Sequence, residues 1–229
     1  MNLYSYTVAS DAGAAPNPYG GVCTLTICKP AIRRKAQVGD WIVGLGSKTA
    51  PGRRDMSHCV IYAMEVSQVM SLADYDEHCR SSLQAKLPVW RPGAPFERQV
   101  GDCLYWQEAD GRWRQRPGVH GPGNQAEDLR GENALLAENF FYFGDLGVEL
   151  PVEFRSICHP TSGHKVHAND GIKEDVVRWL RGGLGAGYRP RVLYGQPVHR
   201  HLVRPGLAEG GGCGSCRADE DDEDPNPIC

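Results

Sequence analysis

Gly39-Asp40-Trp41-Ile42-Val43-Gly44-Leu45-Gly46-Ser47 and, beyond a basic loop, Cys59-Val60-Ile61-Tyr62-Ala63-Met64-Glu65-Val66-Ser67-Gln68-Val69 are the two runs on which the fold reading turns. The first is a Gly-Asp turn feeding a short apolar strand that ends in glycines, and the second is the best strand signal in the chain. Upstream, Leu3 to Ala9 reads as a strand closed by Ser10-Asp11-Ala12-Gly13, residues 14–21 as an irregular loop, and Val22 to Cys28 as a strand stopped by Lys29-Pro30. Ala31 to Ala36, which carries Arg33, Arg34 and Lys35, reads as a single helical turn. Downstream, Ser71-Leu72-Ala73-Asp74 fits a helix capping box, and Leu72, Tyr75, Cys79 and Leu83 follow at helical spacing before Pro88. Residues 103–106 and 112–114 flank Asp110-Gly111 as a hairpin. Residues 116–131 read as a surface loop, 139–144 as a strand, and 157–171 as an irregular loop with three histidines. Asp170 is expected to cap a helix whose apolar face is Ile172, Val176, Val177 and Leu180 and which ends near Gly182.

Several short strands, few helices and no strand-helix alternation predict an α+β protein, with a curved mixed β-sheet or a small β-barrel and a few peripheral helices; a Rossmann-like order is disfavoured. The 229 residues suit one domain over 1–208 and a disordered Gly-rich acidic tail over 209–229. That tail holds seven acids against one base, so the net charge of -3 divides into -6 there and +3 in the body. No run approaches the ~18 apolar residues of a membrane span, and the first residues lack a signal-peptide pattern, so a cytoplasmic protein is expected. Nine cysteines, most of them in apolar strand-like runs, read as reduced thiols.

The order of a turn, an apolar strand and a second strand ending in a charged residue resembles PUA-like domains (EVE, YTH and ASCH) over about the first 70 residues. A closer resemblance covers Tyr4 to about Leu193. Asp11-Ala12-Gly13-Ala14-Ala15-Pro16-Asn17-Pro18, Cys23-Thr24-Leu25, Cys28-Lys29-Pro30, Ile32-Arg33, Gly39-Asp40-Trp41, Phe141-Tyr142-Phe143-Gly144 and Gly163-His164 together look like the nucleotide modification associated domain of the second type. That family occurs in bacteria and phages beside enzymes that elaborate DNA bases. This second resemblance implies a role in handling modified nucleotides or DNA, and the first implies a PUA-like barrel.

A base pocket needs a stacking surface, fixed hydrogen-bond partners and positive charge for phosphate. Asn17 offers an amide to a base edge, Tyr19 a ring, and Thr24, Lys29, Trp41, Ser47, Tyr62 and Tyr142 complete the candidate lining. Arg33, Arg34, Lys48 and Arg53 are the candidate phosphate contacts, since the first sixty residues carry seven bases against three acids. Each has a plainer reading: Asn17 as a turn residue, Trp41 and Tyr62 as core, and Arg33 and Arg34 as a solvated face.

Enzyme signals are thin. Cys158, His159, His164 and His167 lie within ten residues and Asp170 follows, but the spacing fits no standard zinc site. His164 is a weak candidate acid or base. His199 and His201 with Cys213 and Cys216, and Cys229 behind them, form a weak metal candidate. Phosphate-loop, nucleophile-elbow and His-Glu-x-x-His patterns are absent from the sequence, and no cofactor is expected. The leading expectation is a non-catalytic module that recognises a modified base in a DNA modification system, its partners being modified DNA or nucleotide and DNA-modifying enzymes, with no membrane. The alternatives are a transferase or hydrolase acting on a modified nucleotide through His164, and a protein-interaction subunit that uses its acidic tail.

Overall fold

The computed structural model describes residues 1–159 and 163–205, with Arg53 described by its backbone alone. The tail from Glu209, with Cys213, Cys216 and Cys229, lies outside the described residues. Chain order begins β1 (Leu3–Thr7), β2 (Cys23–Leu25), α1 (Pro30–Lys35), β3 (Trp41–Leu45), β4 (Cys59–Glu65), β5 (Gln68–Ser71) and α2 (Leu72–Ser81). There follow α3 (Phe96–Gln99), β6 (Tyr105–Gln107), β7 (Trp113–Gln115), α4 (Gln125–Leu129), β8 (Asn133–Ala137), β9 (Asn139–Tyr142), β10 (Val148–Glu149), β11 (His164–Lys165) and α5 (Lys173–Arg181). The protein is a mixed α+β structure.

In the central sheet β1 and β3 run parallel, β11 pairs antiparallel with the free edge of β1, and β3 pairs antiparallel with β4. The far edge of β4 is shared between β10, at Cys59 and Val60, and β9, from Tyr62 to Glu65. A second sheet has the order β2-β8-β5, and β6 with β7 forms the expected hairpin over Gly111, whose φ is +84°. The central sheet ends at β11 on one side and at β9 and β10 on the other, so it is curved and open. Of the two expected alternatives the sheet takes the curved, open one and not the barrel, since among the described residues no strand pairs the two edges.

The run Cys59 to Val69, expected as one strand, divides at Val66-Ser67, with β4 in the first sheet and β5 in the second. Strands β8 and β9 turn the same corner at Glu138, so one antiparallel ribbon bends from sheet to sheet. Ser67 holds that corner: its amide and its hydroxyl both donate to the Leu136 carbonyl, and its Oγ accepts the Glu138 amide at 3.3 Å.

Alternation assigns the two faces of the central sheet. Tyr4, Tyr6, Ile42, Tyr62, Met64, Phe140 and Tyr142 face the second sheet and α1, packing on Leu25, Ile32 and Leu135. Leu3, Trp41, Val43, Ala63, Phe141 and Phe143 face the other way, where Val176, Val177 and Leu180 of α5 cover them. Each of the buried Val, Leu, Ile, Phe and Met side chains contributes roughly 1.5–3 kcal/mol on burial.

The helix ends hold two departures from expectation. Ser71 does cap α2, accepting the Asp74 amide at 3.0 Å, but the Asp74 carboxylate takes the Ser71 hydroxyl instead of its amide. Asp170 does not cap α5; Ile172 is the N-cap, and Asp170 pairs with Lys173 Nζ at 2.8 Å and with His167. The stretch 116–131 is not a plain surface loop, since it contains α4 and buries His120 and Asp128. Among the described residues no helix is long and apolar enough to cross a membrane, and all six cysteines are free thiols.

Candidate functional site

A narrow cleft with a free volume of about 30 Å³ lies where the loop after β1, the β2–α1 link, the segments before α3 and α4 and the last turn of the described chain meet. Ala14, Ala15, Ile27, Trp90, Val119 and Leu202 make its walls apolar, and Cys28 and His120 give it a polar end. Among the described residues no Lys, Arg, Asp or Glu lines it.

Local chain geometry exposes Cys28 here. Cys28 and Lys29 both take left-handed backbone, with φ of +58° and +42°, as the chain reverses from β2 into α1, and Pro30 then starts the helix at its first position. Two consecutive non-glycine residues in that region cost roughly 1–2 kcal/mol each, which the surrounding bonds must offset. Those bonds come from α4. Asp128 accepts the Cys28 amide on Oδ1 at 2.8 Å, while its Oδ2 lies 2.6 Å from His120 Nδ1 and accepts the Tyr105 hydroxyl at 2.7 Å. On the other side of the imidazole, Nε2 stands 3.5 Å from Cys28 Sγ. One carboxylate therefore fixes both the backbone of the thiol and the ring beside it.

Arg33 locks this arrangement from beneath. Its Nε donates to the Cys28 carbonyl at 2.7 Å, Nη1 to the Asn133 carbonyl at 3.0 Å and Nη2 to the Asp128 carbonyl. The guanidinium is fully buried, and burial lowers its pKa against the opposing pull of Asp128. Burial, followed by the Asp128 charge, pushes the Tyr105 hydroxyl well up, which keeps it a donor.

Among the described residues, Cys28, His120 and Asp128 are the one His/Cys/Asp/Glu group whose ligand atoms converge, lying within 4.8 Å of one another. The set fits a metal poorly. Both Asp128 oxygens are engaged with the Cys28 amide, Tyr105 and the imidazole, so among the described residues Sγ and Nε2 are two ligands where a zinc site takes three or four. In a metal site Asp128 would act behind the histidine, as an orienting partner.

The residues expected from the sequence are dispersed. Asn17 is fully buried, with its Nδ2 donating to the Val100 carbonyl and its Oδ1 accepting from the Tyr19 amide and from Lys86 Nζ. Thr24 donates to Asp102 at 2.5 Å, and Tyr75 donates to the same carboxylate. Lys86 is itself fully buried, its three donors spent on Asn17 and Val22. Burial lowers its pKa and raises that of Asp102, while their opposite charges work against both shifts. Trp41, Tyr62 and Tyr142 are in the core; Tyr62 bonds Tyr6 at 2.7 Å and Tyr142 donates to Asp11. Arg33 is the clamp just described, so it reaches no solvent-borne phosphate.

Tyr19 is half-buried, edge-on to Phe96, and Lys29 Nζ lies 5.0 Å from the Tyr6 ring centroid. Arg34 is half-buried and donates to the Arg130 carbonyl, Ser47 bonds Thr49, and Lys48 is exposed. The side chain of Arg53 lies outside the described set. His164 sits in β11 opposite Tyr6, 2% exposed, and His159 is also buried. His199 Nδ1 accepts the Asp11 amide at 3.1 Å, with the His201 ring 6.1 Å away. None of these lines the cleft.

The sequence reading passed over Cys28, Trp90, His120 and Asp128. The one local signal was Cys28-Lys29-Pro30, a strand stop leading into a proline-started helix. His120 and Asp128 were hidden by a glycine-rich stretch that reads as loop.

A family model described as nucleotide modification associated domain 2 matches residues 1–202. No curated protein and no solved structure matches the chain.

Proposed function

The chain belongs to the nucleotide modification associated domain 2 family, and from that premise we propose that it binds a modified nucleotide, the cleft beside Trp90 taking the base or the substituent it carries. The observation that supports this reading is the make-up of the cleft: apolar walls with one indole and a polar end formed by Cys28 and His120. Its free volume of about 30 Å³, against the roughly 300–1,000 Å³ of small-molecule pockets, suits a small substituent of the base better than the base itself. Stacking on an aromatic side chain contributes about 1–3 kcal/mol per base, and the imidazole can bond a base edge or substituent. With no cation among the described lining residues, phosphates are expected to stay outside the cleft. Partners in this reading are modified nucleotide or DNA, with the enzymes that elaborate the base acting before or after this domain.

The test is a titration of modified and unmodified deoxynucleotides against the full chain, read by tryptophan fluorescence and calorimetry. Trp90→Ala is expected to weaken the modified ligand at least tenfold, within the stacking range above, while the melting temperature stays close to that of the parent. Equal affinity for modified and unmodified nucleotides would end the recognition claim.

A further inference from the structure

We propose that Cys28 and His120 are a thiol nucleophile and its general base for acyl transfer at a carbonyl-bearing substituent of the bound nucleotide, with Asp128 as the positioning residue. The nucleotide part of this statement rests on the preceding reading; the chemistry rests on the geometry of the cleft. Three relations that nucleophilic catalysis needs are present together. Sγ is 3.5 Å from Nε2, Nδ1 is 2.6 Å from a carboxylate oxygen, and both Cys28 and His120 line the cleft in which a substrate would lie. The carboxylate holds the ring with Nε2 turned to the sulfur and stabilises the imidazolium that forms when the thiol proton moves there. By also binding the Cys28 amide, Asp128 fixes the spacing between nucleophile and base. The left-handed backbone at Cys28, between a strand and a helix, matches the way nucleophiles are presented at strained strand-to-helix turns.

The lining selects the electrophile. Phosphoryl transfer needs cations around the developing charge, and among the described residues no Lys or Arg lines the cleft. Glycosyl transfer needs two carboxylates flanking the bond, and among the described residues the cleft lining presents none. An ester or amide carbonyl in an apolar slot requires what is there. In the first step the thiol proton passes to His120 Nε2, Sγ bonds to the carbonyl carbon, and the π pair moves to oxygen. The pair returns as the carbon–oxygen or carbon–nitrogen bond breaks, and the leaving alcohol or amine takes the proton from His120. Water, or an acceptor amine, then gives a proton to His120, attacks the thioester and releases the acid or the new amide, and the proton returns to sulfur.

The full chain is treated with p-nitrophenyl acetate, with p-nitrophenol release followed in time and the acetylated peptide mapped by mass spectrometry. A burst of one equivalent and a single acetyl group on Cys28 are expected, lost in Cys28→Ala and slowed about 100-fold in His120→Gln. Acetylation spread evenly over Cys28, Cys59 and Cys158, or an undiminished rate in His120→Gln, would overturn the proposal. Asp128→Asn separates positioning from folding: loss of the carboxylate should move the acid limb of the rate profile to lower pH, because the imidazolium it stabilises gives up its proton more readily. A rate lowered equally at every pH would leave Asp128 a structural role only. Modified nucleotide is added as competitor. If it binds near Trp90 and Cys28 is still not acylated by the ester in its absence, the acyl-transfer chemistry fails while the binding reading stands. If Cys28 is acylated and no nucleotide slows it, the chemistry stands and the nucleotide reading fails.

Discussion

Asp11 is a carboxylate whose surroundings oppose its charge. It is buried, and burial raises its pKa to about 6 although the Tyr142 hydroxyl and the amides of Val198 and Gly13 donate to it. A group that holds its proton more tightly when folded contributes stability below its unfolded pKa near 3.8 and loses that contribution as pH rises through about 6. Denaturant unfolding followed from pH 4 to 7 should therefore show stability falling across this window by up to about 3 kcal/mol from this residue. In Asp11→Asn the decline should flatten; an unchanged slope would show that Asp11 stays ionised when folded. Arg33 shows the opposite outcome for a buried charge. Its three donors end on three carbonyls, which offsets the cost of removing the guanidinium from water.

At the scale of elements, the site is a junction between α1 and α4 that no single element would form. Gly131, just beyond α4, is where the junction is tightest, since a Cβ there would overlap the Arg33 guanidinium. The guanidinium cannot swing aside without giving up its three carbonyls. Gly131→Ala should therefore cost on the order of 3 kcal/mol in denaturant unfolding and slow acetylation of Cys28 as the two loops part. A variant of unchanged stability would mean that the clamp has slack. The bent ribbon of β4–β5 and β8–β9 was half legible: the length of the run from Cys59 to Val69 was visible, but the corner at Ser67 depends on a carbonyl and an amide 69 and 71 positions away. Asn133-Ala134-Leu135-Leu136-Ala137 gave no strand signal because alanine and leucine favour helix. It becomes β8 by pairing with β2 on one side and β5 on the other.

Over the whole molecule, charge and site separate. Among the described residues the cleft is uncharged at its lining, whereas Arg34 and Lys48, expected as phosphate contacts, lie elsewhere on the chain. If the ligand is a polymer, the logarithm of affinity should fall with the logarithm of salt concentration, and Arg34→Ala should lessen that slope by about 1. An unaltered slope would remove Arg34 from the interface. The sequence by itself determined the α+β class, the alternation that sends Tyr62 to one face of the sheet and Ala63 to the other, the α2 cap at Ser71 and the α5 stripe of Val176, Val177 and Leu180. These are properties of spacing along a strand or a helix, so neighbouring residues encode them. Only the tertiary structure decided that Cys28 meets His120 across 92 positions, that Arg33 points inward and that Asn17 is spent on Lys86. The physical reason is that a polar side chain goes inside only when distant backbone groups satisfy it, and those groups come together only once the loops have packed.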